Sequence, residues 1–89
     1  MAWKVEFDPT VEKALEKFDP QTVKRLLRFL HERVASLDNP RSIGEALKGT
    51  TLGHLWKYRV GDYRIITSIE DSAVRVLVVK IGNRREVYR

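Results

Sequence analysis

The sequence predicts an α+β fold of order β-α-α-β-β-β, with a helical hairpin packed on one face of a mostly antiparallel sheet. Three observations carry that expectation. The dipeptide Asp-Pro occurs twice, each time ahead of an amphipathic run. The second half alternates apolar and polar residues over three stretches separated by short polar turns. A further alternating stretch, "AWKVEF", precedes the first helix.

In "AWKVEF", Trp3, Val5 and Phe7 fall on one side of a strand and Lys4 and Glu6 on the other. At Asp8-Pro9 and Asp19-Pro20, the Asp carboxylate can accept from the free N–H groups of a first helical turn. The proline has no N–H to satisfy and its φ is already helical. The first helix then carries an apolar stripe of Val11, Ala14, Leu15 and Phe18. The second carries Val23, Leu26, Leu27, Leu30, Val34 and Leu37, and stops at "DNP", where Pro40 disfavours helix in the residue before it. Residues 40–53 hold three glycines and no sustained period, which predicts a loop with a helical turn around Ile43 to Leu47. Strands are expected over His54 to Val60, Tyr63 to Glu70 and Ala73 to Ile81. The turns between them are Gly61-Asp62 and Asp71-Ser72. A short extended piece, "REVYR", closes the chain.

Eighty-nine residues suffice for one modest core, and residues 1–89 are read as a single domain. The absence of cysteine excludes disulfides, a thiolate zinc site and a thiol nucleophile. No charged leader runs into a long apolar stretch, and about 18 consecutive apolar residues occur nowhere. A cytoplasmic protein without membrane attachment is therefore expected. The net charge is +5. Residues 1–45 carry eight Lys/Arg against eight Asp/Glu, whereas residues 46–89 carry nine against four. A surplus confined to one half points to a localised anion-binding surface.

A two-residue turn at Gly61-Asp62 pairs Val60 with Tyr63, Arg59 with Arg64, Tyr58 with Ile65 and Lys57 with Ile66. One face then carries Trp56, Tyr58, Val60, Tyr63, Ile65, Thr67 and Ile69, continued by Val74, Val76 and Val78, as a floor for the helices. The other carries Lys57, Arg59 and Arg64 beside Ile66, Leu77 and Val79. Two arginines facing each other can splay into water or pair with Asp62 or Glu70. With Lys57 on the same face and "IGNRREVY" bringing Arg84 and Tyr88 nearby, the cations can also converge on a phosphate. Such a group could act on RNA. Cleavage by the 2′-hydroxyl needs a proton acceptor, positive charge for the phosphorane, and a group to protonate the leaving 5′-oxygen. Arginines meet the second need without a metal, and a lysine among cations could meet the first. His31 and His54 lack metal-ligand spacing, so no metal site and no cofactor are expected.

The order strand, two helices, "ALKG", "LWKYRVGDYRIITSI" and "VVKIGNRREVY" resembles the RelE/ParE superfamily of bacterial and archaeal toxins, most of all its RelE branch, over nearly the whole chain. The resemblance implies the RelE-like microbial RNase fold. It implies a toxin of a type II toxin–antitoxin system, acting as a ribosome-dependent, metal-independent endoribonuclease. Such a toxin enters the A site of the 30S subunit against 16S rRNA and cuts mRNA there, leaving a 2′,3′-cyclic phosphate. A RelB-like antitoxin would inhibit it, and operator DNA would be met only through the toxin–antitoxin complex. Carried over by position, Lys57, Arg64, Arg84 and Tyr88 form the catalytic set, with Arg59, Lys48, His54 and Arg85 on the RNA-binding rim. Where the family's other lysine stands, two residues before Lys57, this chain has Leu55, so either Lys57 takes over as proton acceptor, or His54 helps, or cleavage is slow. The alternatives are a ParE-type gyrase inhibitor that cleaves no RNA, and a noncatalytic RNA-binding module.

Overall fold

The computed structural model describes residues 3–47 and 55–85. Strand β1 (Lys4–Phe7) leads into helix α1 (Pro9–Glu16) and helix α2 (Pro20–Arg28), which continues as a π-helix over Phe29–Val34. A 3-10 turn (Pro40–Ile43) precedes a two-residue strand, β2 (Glu45–Ala46). Strands β3 (Leu55–Val60), β4 (Tyr63–Glu70) and β5 (Arg75–Asn83) complete a five-stranded sheet of order β1-β5-β4-β3-β2. It is antiparallel except for β1 beside β5.

Both helix starts follow from the Asp-Pro dipeptides. The Asp8 carboxylate accepts from the Thr10 N–H at 2.9 Å and from the Thr10 hydroxyl at 2.6 Å, and Asp19 accepts from the Gln21 N–H at 3.0 Å. The α2 stripe buries Leu26, Leu30 and Val34 completely. The π turn was not foreseen. Its i→i+5 closure, from the Ala35 N–H to the Leu30 carbonyl at 2.9 Å, brings Ala35 onto the buried side with Leu30.

These stripes pack on Tyr58, Val60, Ile65, Val76, Val78 and Ile81 of the sheet, with Val5 and Phe7 joining from β1 and Trp3 from just before it. The predicted floor is therefore present, with one correction. No two-residue turn joins β4 to β5. Asp71–Ala73 form a 3-10 turn and Val74 takes a left-handed φ of 49°, so β5 begins at Arg75 and Val74 lies outside the sheet.

A second correction concerns residues 40–53. The helical turn lies earlier than expected, at Pro40–Ile43, and Glu45 and Ala46 pair as a strand with Lys57 and Trp56. Two features fix this segment. The buried Tyr58 hydroxyl donates to the Pro40 carbonyl at 2.6 Å, and Arg41 makes a two-pronged ion pair with Asp71, at 3.0 and 2.7 Å. Gly44 is required by close approach, because a Cβ there would sit 3.0 Å from the Tyr58 ring and 3.3 Å from the Lys57 carbonyl oxygen.

Candidate nucleic-acid interface

The face of the sheet turned away from the helices is set by the β3–β4 hairpin, whose register is the one the alternation predicts. Lys57 pairs with Ile66, Tyr58 with Ile65, Arg59 with Arg64 and Val60 with Tyr63. Gly61 opens the turn at φ +60°, a conformation that favours glycine at the first central position. On the open face Leu55 and Ile66 are buried against Leu47 and Val79. Lys57 and Arg59 stand on one side of this apolar strip. Arg64 lies opposite Arg59.

The register between β4 and β5 shifts at Ile66/Thr67: Ile66 pairs with Lys80, whereas Thr67 pairs with Val78. Val79 is the extra residue of a β-bulge. Without it Lys80 would alternate onto the helix face with Val76 and Val78. The bulge instead aligns Lys80 with Ile66 and Lys57 across the open face, and returns Ile81 to the core. Glu45 extends the same row from β2. Lys80 and Glu45 are the two members of this face that sequence reasoning missed. A bulge depends on cross-strand pairing and a two-residue edge strand has no period, so neither leaves a local signal.

Glu45 changes the electrostatics. Its carboxylate lies 3.4 Å from Lys57 Nζ and 3.6 Å from an Arg59 guanidinium nitrogen. The ion pair holds Lys57 Nζ beside Glu45 on this face, where it can also meet a phosphate. Arg64 pairs with neither Asp62 nor Glu70. Its Nη1 donates to the carbonyls of Gly61 and Tyr63, at 3.0 and 2.9 Å, while Glu70 is held by Arg75 at 2.8 and 2.9 Å. The two facing arginines thus avoid each other by leaning in opposite directions. Each keeps part of its donor fork for another partner.

Arg84 and Arg85 follow β5 at the same end of the sheet. The Arg84 N–H donates to the Asp62 carbonyl at 2.9 Å, the Arg85 N–H to the Asn83 side chain at 3.1 Å, and these four residues line a cleft of about 230 Å³. Both arginines are exposed. Of the expected site residues, Lys57, Arg59 and Arg64 share the open face, with Arg84 and Arg85 beside its hairpin end. Lys48, His54 and Tyr88 lie outside the described residues, as does most of "REVYR". Leu55 is part of the small apolar cluster under this face.

A family model for the ParE toxin of the parDE type II toxin–antitoxin system matches residues 5–88. The toxin RelE of Mycobacterium tuberculosis is 33% identical, over 76% of this chain and 79% of that protein. The chain belongs to the RelE/ParE toxin superfamily. It is a toxin of the type II toxin–antitoxin class, of the RelE family. The fold agrees. The toxin–antitoxin complex RelBE2 of M. tuberculosis superposes with a TM-score of 0.84 at 22% identity, covering 97% of this chain and 95% of that one. The archaeal RelE–RelB complex of Pyrococcus horikoshii gives 0.74 at 28% identity, covering 97% and 99%. Among the described residues of the toxin, no helix is long and apolar enough to cross a membrane.

Proposed function

We propose that this toxin is a ribosome-dependent, metal-independent endoribonuclease that cuts mRNA in the A site. The observation that carries the reading is the open sheet face, where Lys57, Arg59 and Arg64 surround an apolar strip and the Glu45 carboxylate lies beside Lys57 and Arg59. In the proposed reaction Glu45 accepts the proton of the 2′-hydroxyl, and the 2′-oxygen attacks phosphorus. Arg64, with Lys57 and Arg59, balances the charge gathering on the phosphorane. The bond to the 5′-oxygen breaks, leaving a 2′,3′-cyclic phosphate; Arg84 stabilises the departing oxygen, which takes a proton from water and ends as a 5′-hydroxyl, and Tyr88 orients the strand. Lys48, His54 and Arg85 contribute to holding RNA. Base and sugar edges meet the partly exposed Val79, as expected where apolar groups lie between cations in a single-strand groove.

A RelB-like antitoxin is the proposed protein partner. The RelE–RelB complex of P. horikoshii, 28% identical to this chain in its matched part, supports that assignment. The 30S A site with 16S rRNA is the proposed place of action, in the cytoplasm.

Primer extension on a translated message, with wild-type toxin and with Arg64→Ala, tests the reading. Cuts at A-site codons from the wild type, lost in the variant, are expected. If the wild type makes no such cuts and instead inhibits DNA gyrase, the reading fails in favour of a ParE-type activity.

A further inference from the structure

The balanced charge of residues 1–45 conceals a cluster. Arg25, Arg28 and Arg33, with Arg59 from β3, wall a groove of about 430 Å³ whose floor is formed by Phe29, Val60 and Gly61. Its one carboxylate is Glu32. All four arginines are exposed, and no carboxylate among the described residues lies within ion-pair distance of Arg25, Arg28 or Arg33.

The π segment assembles this groove. Arg25 and Arg28 are three positions apart on α2 and share a face. Arg33 follows Arg28 by five positions, which in a regular α-helix would turn it about 140° away. The i→i+5 closure over Phe29–Val34 brings it round instead. On the sheet side of the groove, Gly61 at φ +60° leaves room for Arg25, whose guanidinium nitrogens lie 3.0 and 3.1 Å from where a Cβ would project. Arg59 lines the groove and also reaches Glu45 at 3.6 Å on the open face, so the two cationic sites are continuous around the β3–β4 turn.

We infer that this groove binds the phosphodiester backbone of RNA where the strand leaves the open face and passes over Arg59 onto the helical layer. The inference rests on the function proposed above. The planar guanidinium forks of the arginines that line the groove match phosphate oxygens, and a small apolar floor lets a sugar–phosphate chain lie close. An acidic peptide is the competing occupant. The continuity with the open face favours RNA, because one strand can satisfy both sites.

The test is the salt dependence of binding to two probes: a single-stranded oligoribonucleotide of roughly 8 nucleotides, and ribosomes programmed with a message. The groove variant is R28Q/R33Q. A charge-matched control, K4Q/K24Q, alters exposed positions that do not line the groove. Arg25 is left intact because it packs on the turn. Each phosphate contact on a single strand contributes about 0.7 to the slope of log affinity against log salt. Loss of two contacts therefore lowers the slope by about 1.4 in the groove variant, with a smaller change in the control. Arg28→Lys/Arg33→Lys restores most of the slope.

A drop with both probes identifies the message strand as occupant. A drop with ribosomes alone identifies ribosomal RNA as the source of the same phosphodiester. Equal slopes for groove variant and control on both probes overturn the inference while leaving the proposed function standing, and so does selective loss of poly-glutamate binding. A wild type that binds neither probe removes the proposed function, and this inference with it.

Discussion

Replacing Glu45 by Gln separates two roles that the structure gives one carboxylate. As a counterion it offsets Lys57 and Arg59 at 3.4 and 3.6 Å. Glu45 is 57% exposed and Arg59 62%, so these are solvent-screened pairs. Their removal costs the fold less than about 1 kcal/mol. It also removes a competitor for phosphate at both cations, and RNA affinity should rise. As proton acceptor, by contrast, Glu45 takes part in the chemical step. General-base catalysis is worth about 10²- to 10⁴-fold, or roughly 3–5 kcal/mol of barrier at about 1.36 kcal/mol per tenfold. The expected signature of E45Q is therefore tighter binding with slower cutting. Single-turnover cleavage on programmed ribosomes, equilibrium binding of the same RNA and a thermal melt supply the three readings. Cleavage by E45Q at or above the wild-type rate, with tighter binding, would refute the assignment and leave Glu45 a counterion only.

Three further outcomes follow from the segment that carries Glu45 and from the ionised groups. Tyr58→Phe removes the 2.6 Å hydrogen bond to the Pro40 carbonyl, leaves that buried acceptor unpaired and should cost about 1–3 kcal/mol in a urea titration. Gly44→Ala drives a Cβ to 3.0 Å from the Tyr58 ring and should destabilise by about 1–3 kcal/mol, with wild-type stability counting against the packing argument. Hydrogen bonds from Thr10, Arg75 and Arg41 hold Asp8, Glu70 and Asp71, respectively, below the usual carboxylate range. A depressed native pKa adds stability that is complete above the unfolded value near 4 and is lost as pH falls through the native one. Melting temperature should therefore be flat from neutrality to about pH 5 and fall below it, with Asp71→Asn shallower on the acid side. Burial pushes the Tyr58 phenol up to about 12, so its stabilising effect fades only as alkaline pH passes from its ordinary value near 10 toward that point.

The hairpin register was legible because a buried face enforces strict alternation: a one-residue slip would have turned Tyr58 and Ile65 to solvent and Lys57 into the core. The helix starts were legible because Asp8 and Asp19 act within two residues of themselves. What escaped was each feature decided by partners distant in sequence. Val79 bulges because β4 and β5 must satisfy Ile65–Ile81 and Thr67–Val78 together, and only that shift carries Lys80 to the open face. Glu45 belongs to a strand only because Lys57 and Trp56 offer an edge and Arg41 is tied to Asp71, thirty positions away. Local composition says neither. A half-by-half charge count does not register where cations gather: Arg25, Arg28 and Arg33 line one groove with a single carboxylate, Glu32.

The distribution of paired and unpaired arginines argues that the hairpin end is kept for a ligand. Where β4 turns into β5, the arginines are neutralised at close range: Arg41 by Asp71, and Arg75 by Glu70 with Glu6 at 3.5 Å. Around the β3–β4 turn, at the opposite end, Arg59 has a loose partner at 3.6 Å and Arg64 has backbone carbonyls. Arg25, Arg28, Arg33, Arg84 and Arg85 have no carboxylate partner among the described residues. A chain that needed its cations only for solubility would gain from spreading Glu and Asp among them, because like charges at close range repel. The two-pronged carboxylate pairs lie at the end that fixes the β2 segment, and among the described residues the arginines at the other end have at most a loose one. Such an arrangement is costly in the free protein and favourable with an anion bound. It predicts that a polyanion raises the melting temperature more than an equal ionic strength of simple salt, and that R28Q/R33Q narrows that difference while K4Q/K24Q does not.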